Sequence, residues 1–328
     1  MTPPINLPWL DDIKAQLDEA FVTERLGHAP LIQGPAGVGK RALGEWLSRR
    51  ILCLEGGAAA PCGECRSCQL LSSETHPDFF PVDIPEDKRE IPVDSIRNLN
   101  GRLQLTSSLT DRRVGRILPA EAMNTNAANA LLKTLEEPAG NAWLILISDR
   151  PGRLPATIRS RCQAIAVRPP AHDEASLWLK AQIRERDLEV SENDAEQALR
   201  LAGDAPLAAL ALVETDGLAF GFTIRDGLVA AARGRAIEQV IDSHWTDRAE
   251  LTWRWIATWA GLALQASLRA GDASDLLGDL PSALEPAQAA RLWDKALTGG
   301  ALVRGNARQD LLIGKWLLEW SQVSQPGT

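Results

Sequence analysis

Four stretches of this chain hold residue types at spacings that could do chemistry. The first is Gly34-Pro-Ala-Gly37-Val-Gly39-Lys40-Arg41. Glycines at this spacing let backbone N–H groups converge on phosphate oxygens, and a helix starting there adds the positive end of its dipole. Gly34, Gly37 and Gly39 would shape the cradle, and Lys40 would reach the outer phosphates of ATP or ADP. The pattern breaks at its last position. A Ser or Thr hydroxyl there would hold Mg²⁺, and Arg41 has no acceptor to offer a metal. A degenerate nucleotide site and a glycine-rich turn that binds nothing both remain open on these residues.

The second stretch is an absence. A P-loop ATPase needs acidic residues at the end of a neighbouring strand, for the metal and the attacking water. The strand expected at Val114–Leu118 runs into Leu118-Pro119 where those carboxylates would stand, and Glu121 lies beyond it. The third is Cys53-x₈-Cys62-x₂-Cys65-x₂-Cys68. Four thiolates so spaced can converge on one tetrahedral ion, and an all-sulfur set suits structural Zn²⁺. An iron–sulfur cluster and four plain reduced thiols are the alternatives. The fourth is Ser160-Arg161-Cys162. Arg161 either points out of the domain toward a neighbour's phosphates or forms an ordinary surface salt bridge; no partner within the chain is evident from the sequence. Cys162 reads as a small buried hydrophobe.

These stretches need elements to position them. A strand at Pro30–Gln33 and a helix at Ala42–Leu54 flank the glycine-rich turn. Strands at Asp78–Val82, Val114–Leu118, Trp143–Ser148 and Ala164–Val167 alternate with helices at Val93–Leu103 and Asn124–Glu137. Such alternation predicts a parallel sheet with helices on both faces over residues 1–170. After Arg168-Pro169-Pro170 the strand signals stop. Helices are expected at Glu174–Arg186 and Asp194–Val213, then throughout 218–321, with breaks near Gly271 and Gly278–Pro286. Trp255 with Trp259, and Trp316 with Trp320, sit four apart, a spacing for helix packing. Arg112, Arg113 and Arg116 read as a solvated hairpin, with a nucleic-acid face as the other option. The histidines show no metal or triad pattern.

The composition narrows the classes. The chain has 328 residues, 45% of them hydrophobic and 24% charged, which excludes wholesale disorder. Its formal charge of −8 disfavours a stand-alone DNA binder. No signal-peptide pattern and no apolar run of about 20 residues are present, so a cytoplasmic protein without a membrane partner is expected. Five cysteines without an export signal favour metal over disulfides.

Taken together, the motifs resemble the delta-prime family of bacterial DNA polymerase III clamp-loader subunits, which are AAA+ proteins. Gly34–Lys40, the Cys spacing, Thr75-His76-Pro77-Asp78, Asn129-Ala-Leu-Leu-Lys-Thr-Leu-Glu-Glu-Pro138 and Ser160-Arg161-Cys162 look like that family and keep its order. Asn306–Trp320 is similar to its last helix. The resemblance implies an α/β P-loop (AAA+) domain over 1–170 with a Cys₄ zinc module (53–68). A small helical lid over 171–213 and an all-α collar over 214–328 would follow. The ATP-hydrolysing gamma/tau motors of the same family carry Ser or Thr at the Arg41 position, Asp-Glu at Leu118-Pro119, and a lid arginine where this chain has Pro206. With those three lost and Ser160-Arg161-Cys162 kept, the resemblance implies a non-hydrolysing stator. Its Arg161 would serve as an arginine finger in trans within a hetero-pentamer with gamma/tau and delta. Sliding clamp and primer-template DNA would be reached through the complex, in the replisome. The chain itself would be neither polymerase nor active ATPase; an active gamma/tau-type motor is the alternative.

Overall fold

The computed structural model describes residues 6–57, 60–268, 276–281, 284–303 and 307–324. The chain divides into two compact units, Met1–Leu179 with Ala202–Ala208, and Lys180–Leu201 with Ala209–Thr328.

The first unit is built on five parallel strands: β1 (Pro30–Gln33), β2 (Phe79–Val82), β3 (Arg113–Ile117), β4 (Ala142–Ser148) and β5 (Gln163–Ala166), in the order β2-β3-β4-β1-β5. The helices are α1 (Asp11–Val22), α2 (Lys40–Leu52), α3 (Arg66–Ser72), α4 (Val93–Gln104), α5 (Thr125–Glu136) and α6 (Ala156–Arg159), with α7 (His172–Glu185) beginning in this unit and ending in the second. The central strand β4 reads AWLILIS and is apolar nearly throughout, because both faces are covered. Leu31 pairs with Leu146 and Ile32 with Ile147. Alternation sends Leu31, Leu144 and Leu146 to the core built with α4 and α5. The opposite face receives α2, which presses close at Gly44. A Cβ there would lie 2.5 Å from Ile147 Cδ1. α5 starts where Asn124 caps it, its side-chain oxygen accepting from the Ala127 N–H at 2.9 Å. Ala128, Leu131 and Leu135 are its buried stripe.

The second unit is helical: α8 (Glu192–Leu201), α10 (Gly217–Ala232), α11 (Ile237–Val240), α12 (Ser243–Asp247), α13 (Ala249–Leu268), α14 (Pro286–Leu302) and α15 (Gln309–Ser324), while α9 (Pro206–Glu214) has its first three residues in the first unit and the rest in the second. The single helix expected at Asp194–Val213 is two. Gly203 and Asp204 take left-handed backbone angles, and Pro206, which has no N–H, opens α9. The tryptophan pairs are core, as their spacing predicted. Trp255 stacks on Trp259 and Trp316 on Trp320, with ring centroids 5.9 and 5.5 Å apart. Glycines make the room for several indoles. A Cβ on Gly221 would meet Trp255 at 2.5 Å, and one on Gly227 would meet Trp245 at 2.6 Å. The indole N–H groups of Trp259, Trp316 and Trp320 donate to the carbonyls of Gly221, Leu292 and Leu228. The expected break near Gly271, and Asn306, lie outside the described residues.

Candidate functional site: a P-loop cleft, a four-sulfur centre and an arginine

The turn after β1 has the backbone of a phosphate cradle. Gly37 and Gly39 hold φ of +81° and +94°, where L side chains rarely go, and Gly39 leads directly into α2. Leu207 N–H donates to the Gly37 carbonyl at 3.0 Å, so residues at 207–208 roof the turn. A cleft of about 1040 Å³ opens at the carboxyl ends of β1, β3 and β4, lined among others by Gly37, Lys40, Arg41, Leu118, Asp149 and Leu207. Strand ends of an open parallel sheet are where ligands bind.

The cleft's chemistry is internally occupied. Lys40 is 4% exposed. Its ammonium lies 2.6 Å from Asp149 Oδ1, just past β4, and also donates to the Pro35 carbonyl. Arg41 lies 3.7 Å from Asp83, which also binds Arg116 at 3.1 Å. Leu118 and Pro119 line the cleft just past β3 and offer it no carboxylate. Glu121 serves the backbone, its Oε1 accepting from the N–H groups of Asp149 and Arg150 at 3.0 and 3.1 Å. Pro206 begins α9, and Leu207 lines the cleft. Arg41, Leu118 and Pro119 offer no oxygen ligand to a metal from their side chains, and Lys40 is paired with Asp149.

The arginine cluster Arg112, Arg113 and Arg116 is not the solvated hairpin expected. Arg113 and Arg116 lie in β3 itself, so their neighbours are fixed by the sheet. Arg116 is buried against Asp83 and Glu45, and Arg113 donates to the Ala139 carbonyl. Arg112 donates to the Ile51 carbonyl and lies over the Phe21 ring.

Cys53, Cys62, Cys65 and Cys68 come together, with their Sγ atoms all within 4.8 Å of one another. A tetrahedron of 2.3 Å metal–sulfur bonds has edges of about 3.8 Å, and Cys53 Sγ to Cys62 Sγ is 3.7 Å. The backbone N–H groups of Cys65 and Cys68 point at the sulfurs of Cys62 and Cys65. The four residues can hold one metal ion. Without its charge, burial raises the Cys68 thiol to about 12, while hydrogen bonds outweigh burial and bring Cys65 down to about 7. The sequence reading missed that the insertion contains a helix, α3. Cys65 caps it, an unusual N-cap that propensity rules do not flag.

The Thr75-His76-Pro77-Asp78 segment, which had no role from its residue types, joins this insertion to the sheet. Ser67 hydroxyl donates to the Leu52 carbonyl at 2.7 Å and accepts from His76 Nε2 at 2.8 Å. His76 Nδ1 accepts from the Asp78 N–H at 3.0 Å, which sets the neutral tautomer. Burial holds the His76 pKa below its ordinary value against the pull of Asp78. The Asp78 carboxylate, 2% exposed with its residue, accepts from the N–H groups of Ser108, Leu109 and Thr110 at 2.7, 2.8 and 3.2 Å. Asp78→Ala strands three donors and is expected to cost about 3 kcal/mol, read as a lowered urea midpoint.

Arg161 follows α6 at the surface of the first unit. The sequence showed no partner for it within the chain, and the structure supplies one. Its Nη2 and Nε lie 2.6 and 2.9 Å from Glu136 Oε1, and its Nη1 donates to the Thr157 carbonyl at 3.0 Å. Burial pushes the Cys162 thiol up to about 11, and the side chain packs against the α4–α5 core.

Known proteins resemble this chain along its length. A family model described as DNA polymerase III, delta subunit, matches residues 9–171. The DNA polymerase III subunit delta′ of Pseudomonas aeruginosa is 33% identical over 98% of both chains. That of Escherichia coli is 32% identical over 98% of this chain and 96% of its own. A solved gamma subunit-related protein from Thermotoga maritima aligns over 97% of this chain and 100% of its own. Its TM-score against this chain is 0.43, at 15% identity. With a third of its residues shared over nearly its whole length, the chain belongs to the DNA polymerase III delta-prime family.

Proposed function

We propose that this chain is the non-hydrolysing stator of a DNA polymerase III clamp loader and supplies Arg161 to ATP bound by a neighbouring subunit. The observation that carries the reading is a contrast within one unit. The P-loop cleft has Arg41, Leu118 and Pro119 where a motor needs metal-handling groups, with Lys40 held by Asp149. Arg161, by contrast, stands at the surface with a side chain 36% exposed. In this reading the first 170 residues form an AAA+ domain, 171–213 a lid and 214–328 a collar that joins a hetero-pentamer with gamma/tau and delta subunits. The four cysteines hold zinc as a structural ion, since four sulfurs leave no open position for catalysis. The clamp and primed DNA are reached through the assembly, in the cytoplasm. No single helix among the described residues is long and apolar enough to cross a membrane.

Lys40 in an otherwise intact glycine turn favours the motor alternative, and the purified chain alone decides between them. With Mg²⁺ and ATP it is expected to show no multiple turnover. Turnover that disappears in Lys40→Ala would overturn the stator reading.

A further inference from the structure

Glu136 and Arg161 sit on separate elements that share one core. Glu136 is the last residue of α5, next to Leu135, which is 3% exposed. Arg161 lies between Ile158, which is fully buried, and the half-buried Cys162. Both backbones are therefore anchored within a few ångströms, and the ion pair bridges two rigid bases. The contact has a specific form. One carboxylate oxygen receives Nε–H and one N–H of Nη2, while Thr157's carbonyl receives one N–H of Nη1. A guanidinium has five N–H donors. Three are spent holding the side chain, and one on each terminal nitrogen is left for an incoming anion.

We propose that Glu136 is the positioning residue for Arg161: it holds the guanidinium extended at the surface with two donors still free for a phosphate. The proposal rests on the stator reading above. An untethered arginine samples many rotamers and must lose that freedom each time it reaches the transition state. Glu136 removes part of that cost in advance. Its own oxygen does not compete for the two remaining donors, so the pair need not break when phosphate arrives. Both side chains are partly exposed, 36% and 52%, so the contribution is modest, worth about fivefold in rate.

The test is a reconstituted loader in which this chain is wild type, Glu136→Ala, Glu136→Gln, Arg161→Ala or the double variant. DNA-stimulated ATP hydrolysis is followed at matched assembly. Glu136→Ala is expected to lower kcat about fivefold with KM for ATP unchanged, and Glu136→Gln, which keeps an acceptor oxygen, to lose less. Adding Glu136→Ala to Arg161→Ala should cost nothing further. In the isolated chain, ¹⁵N relaxation of the Arg161 Nε–H should report an ordered side chain in wild type and a mobile one in Glu136→Ala. Unchanged kcat and unchanged Nε–H order in Glu136→Ala would overturn the positioning role alone. A loss in the Arg161→Ala background equal to that in wild type would do the same. An unchanged rate in Arg161→Ala would overturn the stator reading, and the positioning role with it, even where the relaxation result holds.

Discussion

Stripping metal from the four-cysteine insertion is expected to release one zinc per chain and unfold α3 and the described residues around the four cysteines while the parallel sheet persists. The insertion has little else to fold it. It is short and contains Gly56, Gly57 and Gly63. Its one helix, α3, has seven residues, below the length at which a helix holds itself in water. Apparent binding energies of structural zinc sites run to about 10–16 kcal/mol, and in such modules that energy is folding energy. The other ties of α3 to its surroundings, among them Ser67 to Leu52 and to His76, Arg49 to Ser72 and the buried Leu71, are expected to be too few to keep the loop closed. Hydrogen exchange reads the outcome. Protection at α3 should collapse on chelation and in Cys65→Ser, whereas protection in β1 and β4 should stay. Metal-free protein with α3 still protected would contradict a metal-built module.

Arg161→Ala is expected to leave the protein folded and to lower ATP hydrolysis at the site it faces by about 10³-fold or more. The two effects separate because they depend on different surroundings. In the free chain the guanidinium is part of a surface ion pair, worth at most about 1 kcal/mol, so the melting temperature should move by only a few degrees. Against a phosphoryl group in a water-excluded interface, the same charge acts in a low dielectric and stabilises developing negative charge. Arg161→Lys should not restore the rate, because an ammonium lacks the planar fork that both Glu136 and a phosphate engage.

Much of this was legible in the residues, for identifiable reasons. The central strand showed itself because a strand buried on both faces demands a continuous apolar run, as in Ala142–Ser148. The P-loop turn and the cysteine cluster were legible because their residues act locally, through backbone angles and short spacings. What escaped notice depended on residues far apart in sequence. Asp149 pairs with Lys40 from 109 positions away, and Glu136 meets Arg161 from 25 away. The arginines of β3 looked solvated because their charge argues for exposure. Burial of Arg116 becomes acceptable only when Asp83 and Glu45 are placed beside it. Asp78 was seen as a motif residue without a role, since the three amides it binds belong to a loop 30 residues later. The helix break at Gly203–Pro206 was readable in principle from Gly and Pro together, but the apolar pattern on either side masked it.

The proposed stator has two halves, a catalytic group given to a neighbour and a P-loop cleft that does not hydrolyse ATP. One measurement addresses both halves: DNA-stimulated ATP hydrolysis by a reconstituted loader carrying wild-type chain, Arg161→Ala or Lys40→Ala, with assembly matched by size-exclusion chromatography. The account predicts that Arg161→Ala loses the hydrolysis assigned to the neighbouring site while Lys40→Ala keeps the wild-type rate. The reverse pattern, with Lys40→Ala slow and Arg161→Ala unaffected, would contradict it and make this chain a motor.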